Sequence, residues 1–533
     1  MERKVKLQNF IDALGMANLL VSINGESPCD AIMSLYTEPE AQALGAKEIC
    51  SVTYNSKEVR EGSLFVCKGA HFKEEYLADA ISRGAICYVR EATGVESSCS
   101  IEGHKTVSIK DDCIAIFVND IRAAMPIIAK TYYGDLSAQL KVVGITGTKG
   151  KSTTAYYMRY ILDDYMAGVG GRRSAICSGI DNYDGVIEEE SHLTSPEVME
   201  LYKHMDNAIS SGIEYMTMEV SSQALKYDRV EGVTLEAGAF LNIGTDHISD
   251  IEHPNFEDYF ESKLKIFKNC RKACYSLDSE SVDRIQAASH DCPCVITFSQ
   301  IDSAANVYAY DVKSEDGRVS FRAAAKNLSG YEDFDEAFEL GTFGTINVEN
   351  ALAAISLSAL LEVPIEYIKS GLAKAQSPGR MEVCRSKDGK RIAIVDYAHN
   401  KLSYERFFET IKDEFPGRKI IIVFGSAGGK AFSRREELGT IAGLNCEYSI
   451  ITEEDYGEED LMKICTEIAG FVEAAGGKAE IILDRGEAIK KAIELMDDDT
   501  IVFIPGKGRE TRMKRGTEYI DTPSDMDYVE MYL

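Results

Sequence analysis

The sequence predicts an α/β protein built in three successive parts. Three observations carry this. A glycine-rich loop, "VVGITGTKGKSTTAYYMRYIL" at 142–162, lies between an apolar strand and a helix. Short β-rich runs broken by a helical stretch precede it, and five strand-like runs alternating with amphipathic helices follow it. A length of 533 residues agrees, because domains average about 150 residues.

The first part, 1–138, contains "ICSVTYNSKEVREGSLFVCKGAHFKEEYLADAISRGAICYVRE", in which a helical stretch from Tyr76 to Arg83 separates β-rich runs. The spacing from Asp111 to Tyr133 predicts a helix. The second part, 139–377, opens with strand, loop and helix, and a further helix is expected from Ser195-Pro196, an N-cap and first-turn pair. Two strands follow, "IEYMTMEV" and "LEAGAFLNI", ending in the polar clusters Glu219-Val220-Ser221-Ser222 and Gly244-Thr245-Asp246-His247. Ligands of open parallel sheets collect beyond the carboxyl ends of strands, so both clusters are expected beside the loop. The helix in "NFEDYFESKLKIF" has Asn255 as its expected cap. In the third part, 378–533, "RIAIVD", "KIIIVFG", "YSIIT", "AEIIL" and "TIVFIPG" alternate with helical runs, the pattern of a mostly parallel sheet.

Composition narrows the function. With 58 basic and 87 acidic side chains the net charge is -29, which disfavours nucleic acid and acidic membrane surfaces as partners. There is no apolar run long enough for a membrane span and no signal-peptide pattern at the start, so a cytoplasmic location is expected. Fourteen cysteines lie scattered without a pairing framework, as reduced thiols do.

The loop departs from G-x-x-x-x-G-K-[ST], since Ile145 stands at its first position and the glycines are Gly144, Gly147 and Gly150. Its context is still that of a nucleotide site. Backbone N–H groups and the helix start cradle phosphates, Lys151 neutralises the transferred one, and Ser152 can ligate Mg²⁺.

"GITGTKGKSTT" resembles the ATP loop of the Mur ligase family, and "LTSPE", "MEVSSQAL", "GTDH", "YFESK", "INVENALAA", "PGRME" and "DYAHN" follow in that family's order. "NSKEVREGSLFV" is similar to the uridine-binding start of the tripeptide-forming members, so the resemblance spans nearly the whole chain. It implies a UDP-sugar-binding domain at 1–138, an ATPase at 139–377 and a Rossmann-like, amino-acid-binding domain at 378–533. The implied reaction is ATP-dependent: a UDP-muramoyl dipeptide carboxylate is phosphorylated to an acyl phosphate, and an amino acid's amine displaces the phosphate.

The resemblance also implies site residues. ATP would meet Gly144, Thr146, Gly147, Thr148, Lys149, Gly150, Lys151, Ser152 and Thr153, with Asn347, Arg380 and Asp396 from the junction of the second and third parts. Two Mg²⁺ ions would be held by Ser152, Glu219, His247 and Lys263, the last as a CO₂-derived carbamate; Lys151, Glu219, His247 and Lys263 are the expected catalytic group. A UDP-sugar peptide would meet Ser56, Ala70, His71, Phe72, Thr194, Ser195, Ser221, Tyr227 and Arg229. The chain has Asn55 and Lys57 where the family usually has aspartate and arginine. The amino acid would meet Lys430, Glu454, Asp455, Gly506 and Glu510, and a monomer is expected.

The amino-acid pocket departs most from the family pattern. Where diaminopimelate-adding members have D-N-P-R, this chain has Glu454-Asp455-Tyr456-Gly457, and Arg509 replaces a histidine in "GKGRE". Without the arginine a distal carboxylate loses its partner, whereas Glu453, Glu454 and Asp455 suit a distal ammonium. L-lysine is therefore favoured over meso-diaminopimelate, with a plain solvated loop as the alternative. A paralogue acting on another UDP-sugar or peptide carboxylate, or a nucleotide-binding regulator without ligase activity, also stays open.

Overall fold

The computed structural model describes residues 3–27, 37–69, 72–92, 113–191, 193–244, 248, 252–315, 318–328, 330–429 and 432–533. The chain divides into two compact units: Met1–Lys149, Met166–Tyr275 and Ser279–Val295 form one, and Gly150–Tyr165, Ser276–Asp278 and Ile296–Leu533 the other.

The first unit holds two larger sheets and a two-stranded antiparallel pair, Val5–Lys6 with Glu48–Ile49. The N-terminal sheet has the order Leu20–Ile23, Ile114–Val118, Ala85–Glu91, Ser63–Cys67, Ser51–Thr53. Its last four strands are parallel and Leu20–Ile23 is antiparallel. The helix Glu74–Ser82 lies where a helical stretch is expected. The helix expected from Asp111 is shorter: Ile114–Val118 is a strand with alternating burial, and the helix is Ile121–Tyr133. Asp120 divides them, because its carboxylate caps the helix by accepting the N–H groups of Arg122 and Ala123 at 2.8 and 3.0 Å.

The second sheet of this unit is centred on Lys141–Thr146, which pairs in parallel with Tyr215–Glu219 and Leu235–Phe240. Leu235–Phe240 pairs in parallel with Cys270–Ser276, and Ala175–Cys177 with Tyr215–Glu219. Lys141–Thr146, Tyr215–Glu219 and Leu235–Phe240 are almost wholly buried because both faces are covered. The helix expected from Ser195 begins at Val198 with Glu197 at its N-cap. Ser195 is drawn elsewhere: its hydroxyl donates to Glu219 O at 2.8 Å and accepts Ser221 N–H at 2.9 Å. Asn255 caps its helix as expected, accepting Asp258 N–H at 2.8 Å.

The second unit contains an antiparallel meander, Val307–Glu315, Arg318–Ala325 and Phe334–Leu340, followed by the buried helix Asn347–Leu360. It also contains a six-stranded sheet ordered Glu382–Arg385, Ile392–Asp396, Thr500–Pro505, Lys419–Phe424, Tyr448–Ile451, Ala479–Ile481. All five expected strands are present and parallel; Glu382–Arg385 adds an antiparallel edge. Aliphatic and aromatic clusters cover both faces of this sheet. Every described cysteine is a free thiol, and no described helix is long and apolar enough to cross a membrane.

Candidate active site

Beyond the strand Lys141–Thr146 the chain passes through Gly147, Thr148, Lys149 and Gly150 into the helix Lys151–Val169. The end of the neighbouring strand fixes the loop. Asn242 Oδ1 accepts Lys149 N–H at 2.9 Å, Asn242 O accepts Thr148 N–H at 3.0 Å, and Thr148 Oγ1 accepts Gly244 N–H at 3.0 Å. The backbones approach so closely that a Cβ at Gly147 would lie 2.9 Å from Leu241 Cβ. Gly144 sits within the strand, where a Cβ would lie 2.6 Å from Leu235 Cδ1, so its glycine serves sheet packing. The loop thus leads into the start of a 19-residue helix with Lys151, Ser152 and Thr153 in its first turn, and a helix start of this kind suits anions.

Lys263 faces this loop. It is 1% exposed, its Nζ donates to Gly147 O at 2.9 Å, and Nζ lies 4.8 Å from the centre of the Tyr259 ring. Tyr259 in turn donates to Thr148 Oγ1 at 3.1 Å. Glu219, at the end of its strand, is also 1% exposed and accepts Gly179 N–H at 2.8 Å. Among the described residues that N–H is the only hydrogen-bond partner of the Glu219 carboxylate. A buried carboxylate so sparsely paired fits a hard cation, which takes oxygen ligands.

Around Glu219 lie Thr194, whose hydroxyl would be 3.7 Å from a Cβ at Gly179, and the Ser195 and Ser221 pair already described. Arg229 reaches Ser195 O at 3.5 Å and pairs with Glu197 at 3.0 Å. Tyr227 lies beneath the Arg122 guanidinium, 3.8 Å from ring centre to Cζ. Farther along the N-terminal sheet, Ser56 opens the short turn Ser56–Glu58, and Phe72 packs edge-on against Tyr76.

In the second unit, Asn347 is used within its own helix start: it donates to Phe343 O at 2.6 Å and accepts from Asn350 at 3.0 Å. Asp396 accepts the N–H groups of Met381 and Ala398 at 2.7 and 2.6 Å, fixing the turn that carries Arg380, whose guanidinium stands 4.9 Å from the Tyr397 ring centre. At the carboxyl ends of this sheet three consecutive acids have three different fates. Glu453 pairs with Arg515 at 2.7 Å. Asp455 pairs at 3.1 Å with the buried Lys507, which also pairs with Glu510. Glu454 has no hydrogen bond or ion pair among the described residues; its carboxylate lies against the backbone of Gly506, where a Cβ would be 2.5 Å from Oε2. Burial pushes the Glu454 carboxyl up, and the nearby Arg485 and Lys507 only partly offset this.

Residues 145–358 match the Mur ligase middle domain, and 379–508 match the family's C-terminal domain, described as "Mur ligase, glutamate ligase domain". A UDP-N-acetylmuramoyl-L-alanyl-D-glutamate--L-lysine ligase of Enterococcus faecalis is 34% identical over 496 residues, covering 92% of each chain. One from Streptococcus pneumoniae is 35% identical over 486 residues, covering 91% of this chain and 92% of that one. The chain belongs to the Mur ligase family.

This Mur ligase is thus an ATP-dependent enzyme forming C–N bonds, with the family's three-domain α/β architecture. A solved UDP-N-acetylmuramoyl-L-alanyl-D-glutamate--2,6-diaminopimelate ligase shares the fold, with a TM-score of 0.60 at 22% identity, covering 92% of this chain and 95% of that one. Among the expected site residues of the Mur ligase, Gly147, Thr148 and Lys263 meet at the loop. Thr194, Ser195, Ser221 and Arg229 gather near Glu219, and Glu454, Asp455, Gly506 and Glu510 gather around Lys507. Ala70, His71, His247 and Lys430 lie outside the described residues.

Sequence reasoning missed Asn242, Tyr259 and Lys507. Asn242 had a readable signal, a polar side chain two residues past a buried strand and two before Gly244. Tyr259 had one as well, lying one helical turn before Lys263. Lys507, inside "GKGRE", had none that separates it from a surface lysine.

Proposed function

We propose that this Mur ligase adds L-lysine to UDP-N-acetylmuramoyl-L-alanyl-D-glutamate through an acyl phosphate, as a step in peptidoglycan precursor synthesis. The relatives at 34 and 35% identity, named for that lysine addition, support the reaction. The observation that carries the choice of amino acid is Glu454. Of the three adjacent acids it is the one without an ion pair among the described residues, which suits the distal ammonium of lysine. The distal carboxylate of diaminopimelate would instead meet like charge.

In this reading residues 1–138 bind the UDP-sugar, 139–377 bind ATP and 378–533 bind the amino acid. The helix start at Lys151 and the loop N–H groups hold the triphosphate, with Asn347, Arg380 and Asp396 contributing from the later part. Ser152, Glu219, His247 and carbamylated Lys263 would hold two Mg²⁺ ions, which lower the repulsion between a carboxylate and the γ-phosphate. A substrate carboxylate oxygen attacks the γ-phosphorus and ADP leaves. The amine of lysine then attacks the acyl carbon, inorganic phosphate leaves, and the amine proton passes to solvent. The fixed donors of the loop need no rearrangement as negative charge builds up on the leaving ADP oxygen. The partners are small molecules, and the chain works as a cytoplasmic monomer.

ADP formation measured with UDP-muramoyl-L-alanyl-D-glutamate and a panel of amino acids tests this. Turnover is expected with L-lysine and at most weakly with meso-diaminopimelate. Equal turnover with both removes the role given to Glu454, and no turnover dependent on both substrates removes the ligase reading. Intact-mass analysis in bicarbonate buffer is expected to show one added CO₂ on the wild type and none on Lys263→Ala, which is expected to lose ligase activity. A Lys263→Ala chain at full rate overturns the carbamate.

A further inference from the structure

Lys68 is the first residue after the strand Ser63–Cys67, and Tyr54 the first after Ser51–Thr53, its parallel neighbour. Both stand at the carboxyl ends of the N-terminal sheet, where ligands of such sheets bind. Lys68 Nζ is 2.5 Å from Glu197 Oε2 and 4.5 Å from the Tyr54 ring centre. The other oxygen of Glu197 takes Arg229 at 3.0 Å. All three charged side chains are largely buried, at 18% exposure for Lys68 and 14% for Glu197 and Arg229. Two buried cations therefore share one carboxylate. The next acid along, Glu200, is taken by the Tyr54 hydroxyl.

The carboxylate stands at a place that favours anions on a further ground. Glu197 is the N-cap of the 13-residue helix Val198–Ser210, and its side chain makes no capping bond to that helix. The positive end of the helix is left uncapped while the carboxylate reaches to Lys68 and Arg229. Burial pushes the Lys68 ammonium down and its bond to Glu197 pulls it back up, so the cation depends on an anion beside it. One carboxylate pairs directly with both cations beside a helix start, and Glu200 acts on Lys68 only through space. A UDP-muramoyl peptide carries both pyrophosphate and peptide carboxylate oxygens, either of which completes the pairing.

We propose that Lys68 is an anion-binding residue for the UDP-linked substrate, acting with Arg229 and the start of the helix Val198–Ser210, and that Glu197 holds both cations until the substrate's anionic group replaces it. This rests on the substrate class given under Proposed function.

Binding calorimetry on the full chain without ATP separates the outcomes, using UDP-N-acetylmuramoyl-L-alanyl-D-glutamate and UDP alone. Lys68→Met is expected to weaken the muramoyl dipeptide at least about tenfold and to flatten the salt dependence of its affinity, while Lys68→Arg stays near wild type. Glu197→Gln, which removes the competing charge, is expected to tighten binding, and this arm stands even where Lys68→Met fails to fold. A matching loss with UDP alone assigns the pyrophosphate, and a loss confined to the dipeptide assigns its carboxylate. Unchanged binding by Lys68→Met, or weakening by Glu197→Gln equal to that of Lys68→Met, overturns the proposal and leaves the ligase reading in place. A wild-type chain with no affinity for either nucleotide overturns both.

Discussion

Arg485 and Asp525 form a buried bidentate pair, Nε to Oδ1 at 2.6 Å and a second guanidinium nitrogen to Oδ2 at 2.7 Å, with side chains 4 and 2% exposed. The same guanidinium donates to Pro505 O at 2.8 Å and to Glu453 O at 3.3 Å. It therefore joins the two strand ends that carry Gly506 and Glu454. Removing one partner of a buried pair leaves an uncompensated charge, so Asp525→Ala is expected to cost about 3–5 kcal/mol. A thermal melt should show the loss directly. Where the variant still folds, the KM for the amino acid is expected to rise while that for ATP holds; the reverse pattern would remove Arg485 from the pocket's support.

Glu454 is expected to trade stability for binding. Its carboxyl is raised by burial, so its ionised form is disfavoured in the folded chain. A raised folded value means that stability is greatest below the ordinary glutamate range and falls as pH rises through the folded value. Glu454→Gln should thus melt higher than wild type at neutral pH, yet bind L-lysine at least about tenfold more weakly, the cost of one charge-assisted contact. Wild-type lysine affinity should fall on acidification at a pH above that typical of a free carboxylate. A Glu454→Gln chain that binds lysine normally sinks the assignment.

The sequence was legible where one local rule decides. The five strands of the last sheet are β-rich runs bounded by polar turns, and Asn255 is a cap in both sequence and structure. The helix expected from Asp111 failed because the period-two burial of Ile114–Val118 shares its residues with a helical pattern, and only Asp120 marks the change. Ser195 looked like a cap, but a hydroxyl beside a strand end found a better partner in the neighbouring backbone. The meander at 307–340 offered no motif, and its alternation is visible only once pairing is known. In the pocket, three adjacent acids read alike in sequence. What separates them is the distant partner each meets, Arg515, Lys507 or none among the described residues.

Acid sensitivity is expected at the helix that carries Lys263. His253 is fully buried, with Nδ1 on Asp258 at 2.6 Å and Nε2 on Ser222 at 2.9 Å, and Asp258 also takes Lys226 at 2.6 Å. Burial holds His253 below its ordinary value of 6.5, and Lys226 beside Asp258 holds that carboxyl below 3.8. Both depressed groups act in one direction: their stabilisation is present at neutral pH, and it is lost as pH falls first below 6.5 and then below 3.8. Melting temperature should drop across both windows, and His253→Asn should flatten the upper one. A variant profile parallel to wild type between pH 7 and 5 would exclude His253 as the source.

Asn242 gives the sharpest test of how the loop is built. Its Oδ1 accepts Lys149 N–H at 2.9 Å and its Nδ2 donates to Lys149 O at 3.3 Å, so one amide holds both polar groups of a loop residue. Asn242→Ala leaves that N–H without its partner, at about 1–3 kcal/mol. The penalty falls on the loop and not on the core, since the neighbouring Thr148 N–H still meets the backbone carbonyl of residue 242. The KM for ATP is therefore expected to rise about tenfold with little change in melting temperature. Asn242→Asp separates geometry from charge: it keeps the acceptor for Lys149 N–H but loses the donor and places a carboxylate near the triphosphate. It should bind ATP more weakly than Asn242→Ala, with a difference that shrinks as salt is added. Equal ATP affinity in wild type and both variants would mean that the loop holds its shape without this side chain.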